Sequence, residues 1–447
     1  MLEVIEIDLT PILPGAVNGG AKVVALELIR QVARLHPETK FTLLTAAEGH
    51  EELAALEREN VTRRLITQEL QGLPQTRSWR DRLFAFIPRQ LLWRFNKTLL
   101  VLRKVLPSNH YYASSRDHAG SRVRPDLLFF PFGMSYPCRG LPLRFASVPS
   151  VATVYDLQHL AYPEFFSDND LTERDRSLNF HKKNSTFIVI SNFVRDSLIR
   201  RAGVPPQSAH TVYIRFKPHA PEIDMEAARG VLQRLRLQQG RYFVYPANFW
   251  RHKNHEMLLA GFALARSSAL PHDFKLVCTG SPDERMTIIA DAAYALGLAE
   301  CVVLPGFLAD KEFSALIRSA AAVVFPSLYE GFGMPIIEAA AAGCPVACSD
   351  RASLAEIAGD AALLFDPRKP AAIAEALCRL ATDDKLRSEL IKKGLRQAKK
   401  FSSIEQMARE YWTVFERAAR NGSGRIVSNG SVRRRRRLAI VQHLHSR

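Results

Sequence analysis

Short apolar runs with no polar interruption recur along this chain: Leu127 to Phe130, Phe187 to Ile190, Tyr242 to Tyr245 and Ala321 to Phe325. Each is closed by turn residues, and segments with apolar residues at helical spacing lie between them. A strand reads as an unbroken apolar run when both of its faces are buried, as in a parallel sheet covered by helices on either side. Strands alternating with helices predict a doubly wound α/β fold. In such sheets ligands bind beyond the carboxyl ends of the strands. The loops after those runs are therefore where function is sought.

The most informative of these loops lies in Ala321–Asp350, AAVVFPSLYEGFGMPIIEAAAAGCPVACSD. The strand Ala321 to Phe325 ends at Pro326 and Ser327, and a loop with Gly331 and Gly333 follows. Pro335 suits the first position of a helix. Ile336 to Ala342 reads as a short helix that Gly343 can stop in a left-handed cap, and Pro345 to Cys348 as the next strand. The amides of Phe332 to Ile336, Gly333 and Met334 included, lack intrahelical acceptors and suit an anion. Glu330 sits in the loop and Glu338 in the first helical turn, leaning back toward the same crevice. Glu338 could bind vicinal sugar hydroxyls or simply complement the helix dipole.

Ser327-x-x-Glu330-Gly331-Phe332-Gly333-x-Pro335-x-x-Glu338 resembles the E-x7-E signature of retaining, nucleotide-sugar-dependent glycosyltransferases of family 4, the glycosyl transferases group 1. The resemblance implies a GT-B architecture of two Rossmann-like domains facing across a cleft. It implies Glu330 at the donor sugar, Glu338 at the nucleotide ribose, and Gly331, Phe332, Gly333 and Met334 around the donor.

Composition fits a chain of this kind. Its 447 residues suffice for two or three domains, and 47% hydrophobic with 24% charged residues is ordinary for a soluble globular protein. The six cysteines include no Cys-x-x-Cys pair and several lie in apolar runs, so buried thiols are expected rather than disulfides or zinc. The amino terminus lacks a basic region ahead of a long apolar core, and no apolar stretch is long enough to span a bilayer. The expected compartment is the cytoplasm, with the inner face of the membrane as a second location. The net charge of +16 is concentrated in two patches of +7 each, Arg77–Lys104 and Asn421–Arg447, leaving about +2 elsewhere. Across Arg77–Leu106, Leu91, Phe95, Leu99, Leu102 and Leu106 fall on one helical face, as in a helix packed on a sheet or one lying on anionic lipid. The second ends in five consecutive Arg after a Gly/Ser/Asn-rich run and is expected to be disordered alone. One terminal charge run does not indicate a nucleic-acid partner.

In the amino-terminal half, Leu2–Leu9 reads as a strand, Pro11–Gly20 as a glycine loop, Val23–Leu35 as a helix and Phe41–Leu44 as a strand. A glycine loop between strand and helix lets a ligand approach the backbone. By resemblance, Gly19 and Gly20 face donor phosphate and acceptor. Ser150–Tyr155 is a further strand, and the segment after it resembles the family's His-Asp pair, with Tyr155 in place of His and Asp156 retained. Tyr155 cannot play an imidazole's acid–base role near neutral pH; His159, four positions on, either stays in the cleft to do so or is structural, as a lone His usually is. A strand–Ser191–helix step follows, then Thr211–Ile214 as the domain's last strand.

The second domain starts at Tyr242. Resemblance places Lys253 at the donor's diphosphate, with Asn248 where many members carry Arg and the adjacent Arg251 able to compensate. It places Gly306 and Phe307 at the nucleobase. Catalytic roles thus fall to Glu330, Lys253, Asp156 and His159. The expected division is 1–217, an acceptor-side Rossmann-like domain; 218–240, a linker; 241–402, the nucleotide-sugar domain; 403–420, a helix crossing back to the first domain; and 421–447, a basic tail. The function implied is retaining transfer of a sugar from a nucleoside diphosphate to an acceptor hydroxyl on a growing cell-surface or lipid-linked glycan, without metal or other cofactor. No Asp-x-Asp metal motif is present. Alternatives are a nucleotide-sugar epimerase or phosphorylase-like protein of the same fold, or a silent carbohydrate- or partner-binding relative. The residues do not identify the sugar, the base or the acceptor.

Overall fold

Two parallel sheets organise the molecule, seen in a computed structural model that describes residues 2–15, 19–66, 124–133, 148–217 and 225–421. The basic amphipathic segment Arg77–Leu106 and the tail from 422 onward lie outside the described residues.

The first sheet has seven strands: β1 (Val4–Asp8), β2 (Lys40–Thr45), β3 (Val61–Leu65), β4 (Leu127–Phe130), β5 (Ser150–Val154), β6 (Ser185–Val189) and β7 (Ala209–Thr211), in the order β3-β2-β1-β4-β5-β6-β7. The second has six: β8 (Tyr242–Pro246), β9 (Lys275–Thr279), β10 (Val302–Gly306), β11 (Ala322–Phe325), β12 (Val346–Ser349) and β13 (Ala362–Phe365), in the order β10-β9-β8-β11-β12-β13. Every ladder is parallel. Both orders reverse direction once, between β1 and β4 and between β8 and β11, which is the Rossmann-like arrangement with a crevice at each reversal. The expected α/β fold of two facing Rossmann-like domains is met.

The uninterrupted apolar runs are central strands: β8 and β11 are wholly buried, with Phe243, Val244, Val323, Val324 and Phe325 at 0% exposure. Each such side chain contributes about 1.5–3 kcal/mol by leaving water, so these runs anchor the sheet from which the functional loops spring. Cys278, Cys344 and Cys348 are buried free thiols within this domain. Burial pushes the Cys278 and Cys344 thiols up to about 12.

Two marked boundary shifts and one additional strand depart from expectation. Gly19 and Gly20 open the helix Gly19–Leu35 instead of lying in the loop before it. The last strand of the first sheet is Ala209–Thr211, so most of Thr211–Ile214 lies past the ladder. The strand Val61–Leu65 went unanticipated because its two half-buried arginines mask a parallel edge strand.

The last described helix returns to the first domain. Residues 404–421 form a helix whose Tyr411 and Phe415 pack on Phe129 with ring centroids 5.9 and 4.9 Å away. Trp412 stacks on His36 at 3.5 Å, and Arg215 forks onto Glu410 at 2.7 and 3.0 Å. Before that helix, the Phe216 amide donates to the Phe401 carbonyl at 2.9 Å, joining the chain segments at the two passages between domains. The apolar core of the first domain continues into the second through Phe332, Ile337 and Ile357.

Candidate active site in the interdomain cleft

The reversal between β8 and β11 brings two loops together. The loop after β8 forms a tight turn over Arg251–Lys253 and ends at Asn254, a non-glycine residue at φ 64° that opens the helix His255–Arg266. Asn254 is held there because its amide donates to the carbonyls of Pro326 and Pro367, at 3.1 and 2.8 Å. The Tyr245 hydroxyl donates to the Lys253 carbonyl at 2.7 Å, and the Leu328 amide to the His252 carbonyl at 2.8 Å. These bonds fasten the Lys253 turn to the loop after β11.

The result is an ion pair: Lys253 Nζ lies 2.6 Å from Glu330 Oε1, with each side chain 13% exposed. The ammonium also sits 5.5 Å from the centre of the Phe325 ring. An ammonium has three donors, so one bond to Glu330 leaves capacity for a second anion.

The backbone carrying Glu330 is gripped from both domains. Ser353 Oγ hydrogen-bonds the carbonyls of Glu330 and Phe332 at 2.9 and 3.1 Å. From the first domain, Ser191 Oγ donates to the Gly331 carbonyl at 2.7 Å. Gly331 admits no side chain, because a Cβ there would stand 1.8 Å from the Tyr155 carbonyl oxygen. Tyr329, 4% exposed, accepts the Leu157 amide on its hydroxyl at 3.2 Å. The acid loop is therefore an interdomain contact.

Beyond the loop, Gly333 is the N-cap of the helix Met334–Ala341 at φ 98°, with no side-chain cap. The anion cradle is smaller than the sequence implies. Pro335 has no N–H, and the Ile336 amide donates to the Gly333 carbonyl at 3.0 Å, so the amides of Phe332, Gly333 and Met334 remain. Glu338 is the helix's fifth residue, in the second turn rather than the first, and is half-buried.

The other named residues surround this centre. Asn248 is half-buried and its Oδ1 accepts the Ser281 amide at 2.9 Å, tying the loops after β8 and β9. Arg251 is exposed. Gly306 ends β10 at φ 75°, and Phe307 beside it is 68% exposed. From the facing domain, Gly20 lies against Met334, whose Sδ would be 3.3 Å from a Cβ on that glycine, and Gly19 and Gly20 are both exposed. Asp156 is half-buried, accepts the Gln158 amide at 2.9 Å and acts electrostatically on His252 and Tyr329 across the cleft.

His159 stands apart. It is 2% exposed, its ring nitrogens have no hydrogen-bond partner and its ring meets Phe166 edge-on. Burial, then Arg174, lowers its pKa against the opposing pull of Asp156 and Asp175. It is a neutral imidazole inside the first domain's wall, not one opening on the cleft. His252 is likewise neutral, lowered to about 3 by burial and then by Lys253.

Sequence reading overlooked Ser353, Glu356 and Tyr329. Ser353-x-x-Glu356 has the form of a capping box, but its serine makes no cap bond and holds the acid loop instead.

Comparisons with known proteins agree with this architecture. Residues 233–397 match the family model for glycosyl transferases group 1. The chain is 29% identical over 258 residues, 57% of its length, to O-antigen chain mannosyltransferase B of Escherichia coli, covering 66% of that protein. It is 33% identical over 126 residues, 28% of its length, to MMP alpha-(1->4)-mannosyltransferase of Mycolicibacterium hassiacum, covering 31% of that protein. The match thus spans just under two thirds of the first relative and under a third of the second. The crystal structure of Anabaena Alr3699/HepE in complex with UDP and glucose superposes with a TM-score of 0.65 at 15% identity, over 93% of this chain and 100% of that one.

Proposed function

We propose, from the premise that residues 233–397 belong to the glycosyl transferases group 1, that this chain transfers a sugar from a nucleoside diphosphate to an acceptor hydroxyl with retention of configuration. The observation that carries the proposal is the Lys253–Glu330 pair, set at a topological switch point beside three unengaged amides. In this reading the diphosphate lies against the amides of Phe332 to Met334 and takes a second bond from Lys253, which neutralises the leaving group. Those groups fill the role that a divalent cation fills at other diphosphate sites. Glu330 holds the donor sugar's hydroxyls, Glu338 the ribose, and the exposed Phe307 ring stacks on the base. Asn248 serves as a strap between loops, and Arg251, free in solvent, closes on the outer phosphate.

The acceptor enters from the side of Gly19, Gly20 and Asp156. Its hydroxyl oxygen bonds the anomeric carbon on the face from which the diphosphate leaves, and a departing phosphate oxygen takes the hydroxyl proton. This course needs no imidazole base, which fits the burial of His159 and the presence of Tyr155. A glycan acceptor is proposed because one relative is named for the O-antigen chain, and a mannose donor goes first in the panel because both names say mannosyltransferase; a lipid-linked acceptor belongs to the family expectation. No described helix is long and apolar enough to cross a membrane, so a lipid-linked acceptor would be met at the membrane surface.

The test is turnover with UDP-, GDP- and dTDP-sugars by wild type, Lys253→Ala and Glu330→Ala, alongside thermal melts. Each variant should keep its fold and lose about 100-fold or more in kcat. Near-normal turnover in both would refute the assignment. Donor binding without transfer to any acceptor or water would favour a silent binding relative.

A further inference from the structure

The helix Asn192–Ala202 of the first domain begins with amides that its own domain does not satisfy, apart from Val194, whose amide donates to the Ser191 side chain at 3.2 Å. The other two are satisfied from the second domain. The Glu356 carboxylate accepts the Asn192 amide on Oε1 at 2.7 Å and the Phe193 amide on Oε2 at 2.9 Å. Oε1 also accepts the Tyr213 hydroxyl at 2.9 Å, and Tyr213 is itself fixed by Asn192 Nδ2 at 2.7 Å. An anion at a helix amino end is favoured by the unpaired amides and by the dipole. Here the carboxylate and the helix belong to different domains, so the contact ties the two domains together.

Glu356 stands one helical turn after Ser353, on the short helix Leu354–Ala358. Ser353 holds the carbonyls on either side of Gly331, and Ser191, the cap of the captured helix, holds the Gly331 carbonyl itself. One unit thus joins the facing domain to the backbone that carries Glu330. We propose that Glu356 is a positioning residue and closure latch: by capping the first domain's helix it holds the domains together and seats the acid loop through Ser353 and Ser191. In the open cleft the Asn192 and Phe193 amides return to water and Gly331 loses its Ser191 bond, so Glu330 is fully placed only after closure. Its catalytic consequence rests on the glycosyl-transfer reading; the latch itself does not.

Two arms test it on the full chain. Amide exchange followed by mass spectrometry should show residues 192–193 protected in wild type and exchanging at least about tenfold faster in Glu356→Ala, with the rest of that helix unchanged. In the second arm, kcat/KM for sugar transfer falls about 30-fold, from loss of charge-assisted bonds. Affinity for UDP or GDP alone should stay within about twofold, because those contacts lie in the second domain. Glu356→Gln, which keeps one acceptor oxygen, should recover part of the lost turnover. Unchanged exchange would overturn the latch, and faster exchange with intact turnover would overturn the positioning role. A parallel fall in nucleotide affinity and turnover would mean damage to the second domain and overturn it as well. Failure of wild type to transfer any sugar would remove the functional reading while exchange still decides the latch.

Discussion

Gly331→Ala tests whether the domain approach drawn here is the working one. A Cβ at 331 would stand 1.8 Å from the Tyr155 carbonyl oxygen, a main-chain atom of the half-buried residue that follows β5. Restoring the shortest tolerated contact needs about 1.2 Å of separation between the acid loop and the first domain. The Ser191–Gly331 bond, now 2.7 Å, would stretch beyond hydrogen-bond range, at a cost of about 1 kcal/mol. The second domain itself meets no new clash, because nothing in its own fold crowds that position closely. The fold should therefore survive, with a melting temperature within a few degrees of wild type. A displacement on the order of 1 Å at a catalytic loop costs about 100-fold in rate. Transfer assayed with the preferred donor should fall by roughly that factor, with UDP or GDP affinity nearly unchanged and a larger radius of gyration by small-angle scattering. Turnover within about threefold of wild type would refute the reasoning, since the chemistry would then not need the two domains in this contact.

Acid should loosen the fold through buried imidazoles. Burial lowers His181, His252 and His255 to about 3, so they are neutral when folded and take up protons on unfolding below about 6.5. Their stabilisation is complete above that pH and is lost as pH falls toward 3, by about 1.4 kcal/mol per unit for each histidine. Asp8, which burial raises to about 6, opposes this between 6 and its ordinary value, because its folded form binds the proton more tightly. Urea midpoints from pH 7 to 4 should decline, and less steeply in His255→Phe, which keeps the ring packing on Tyr245 and Phe249; equal slopes would contradict the assignment. Arg215→Met, which leaves Glu410 without its forked partner, should cost about 2 kcal/mol and expose residues 404–421 to protease. Resistance equal to wild type would show that the terminal helix does not depend on that pair.

The second domain was legible because its strands are buried on both faces and therefore spell themselves as pure apolar runs. Glu330 and Lys253 were named through the resemblance to a known family of the segments that follow such runs. Other features were not legible, for three reasons. Val61–Leu65 is an edge strand whose Arg63 and Arg64 side chains serve Glu57 and Glu6, so its alternation is hidden by charge. Tyr155 drew notice for its side chain, whereas its carbonyl is what meets Gly331, and a backbone contact leaves no mark on residue identity. Glu356 acts on a helix more than 150 residues away in sequence, and only the fold reveals that pairing.

The Phe216–Phe401 bond gives the molecule a mechanical ratio. The two passages between domains are fastened to each other there, which makes that place the natural pivot of any rotation. Phe401 also lies 5.4 Å, centre to centre, from the Phe332 ring of the acid loop, and 5.9 Å from Tyr213, the hydroxyl donor to Glu356. Displacement in a rotation grows with distance from its axis, so groups beside the pivot shift by only about 1 Å, which already takes the 2.7 Å Ser191–Gly331 bond past its range. The ratio also works in reverse. A wedge of about an ångström between Gly331 and Tyr155 acts on the short arm of this lever, and the far rim of the cleft moves by several times as much. Small atoms near the axle are thus the condition for a wide cleft to shut.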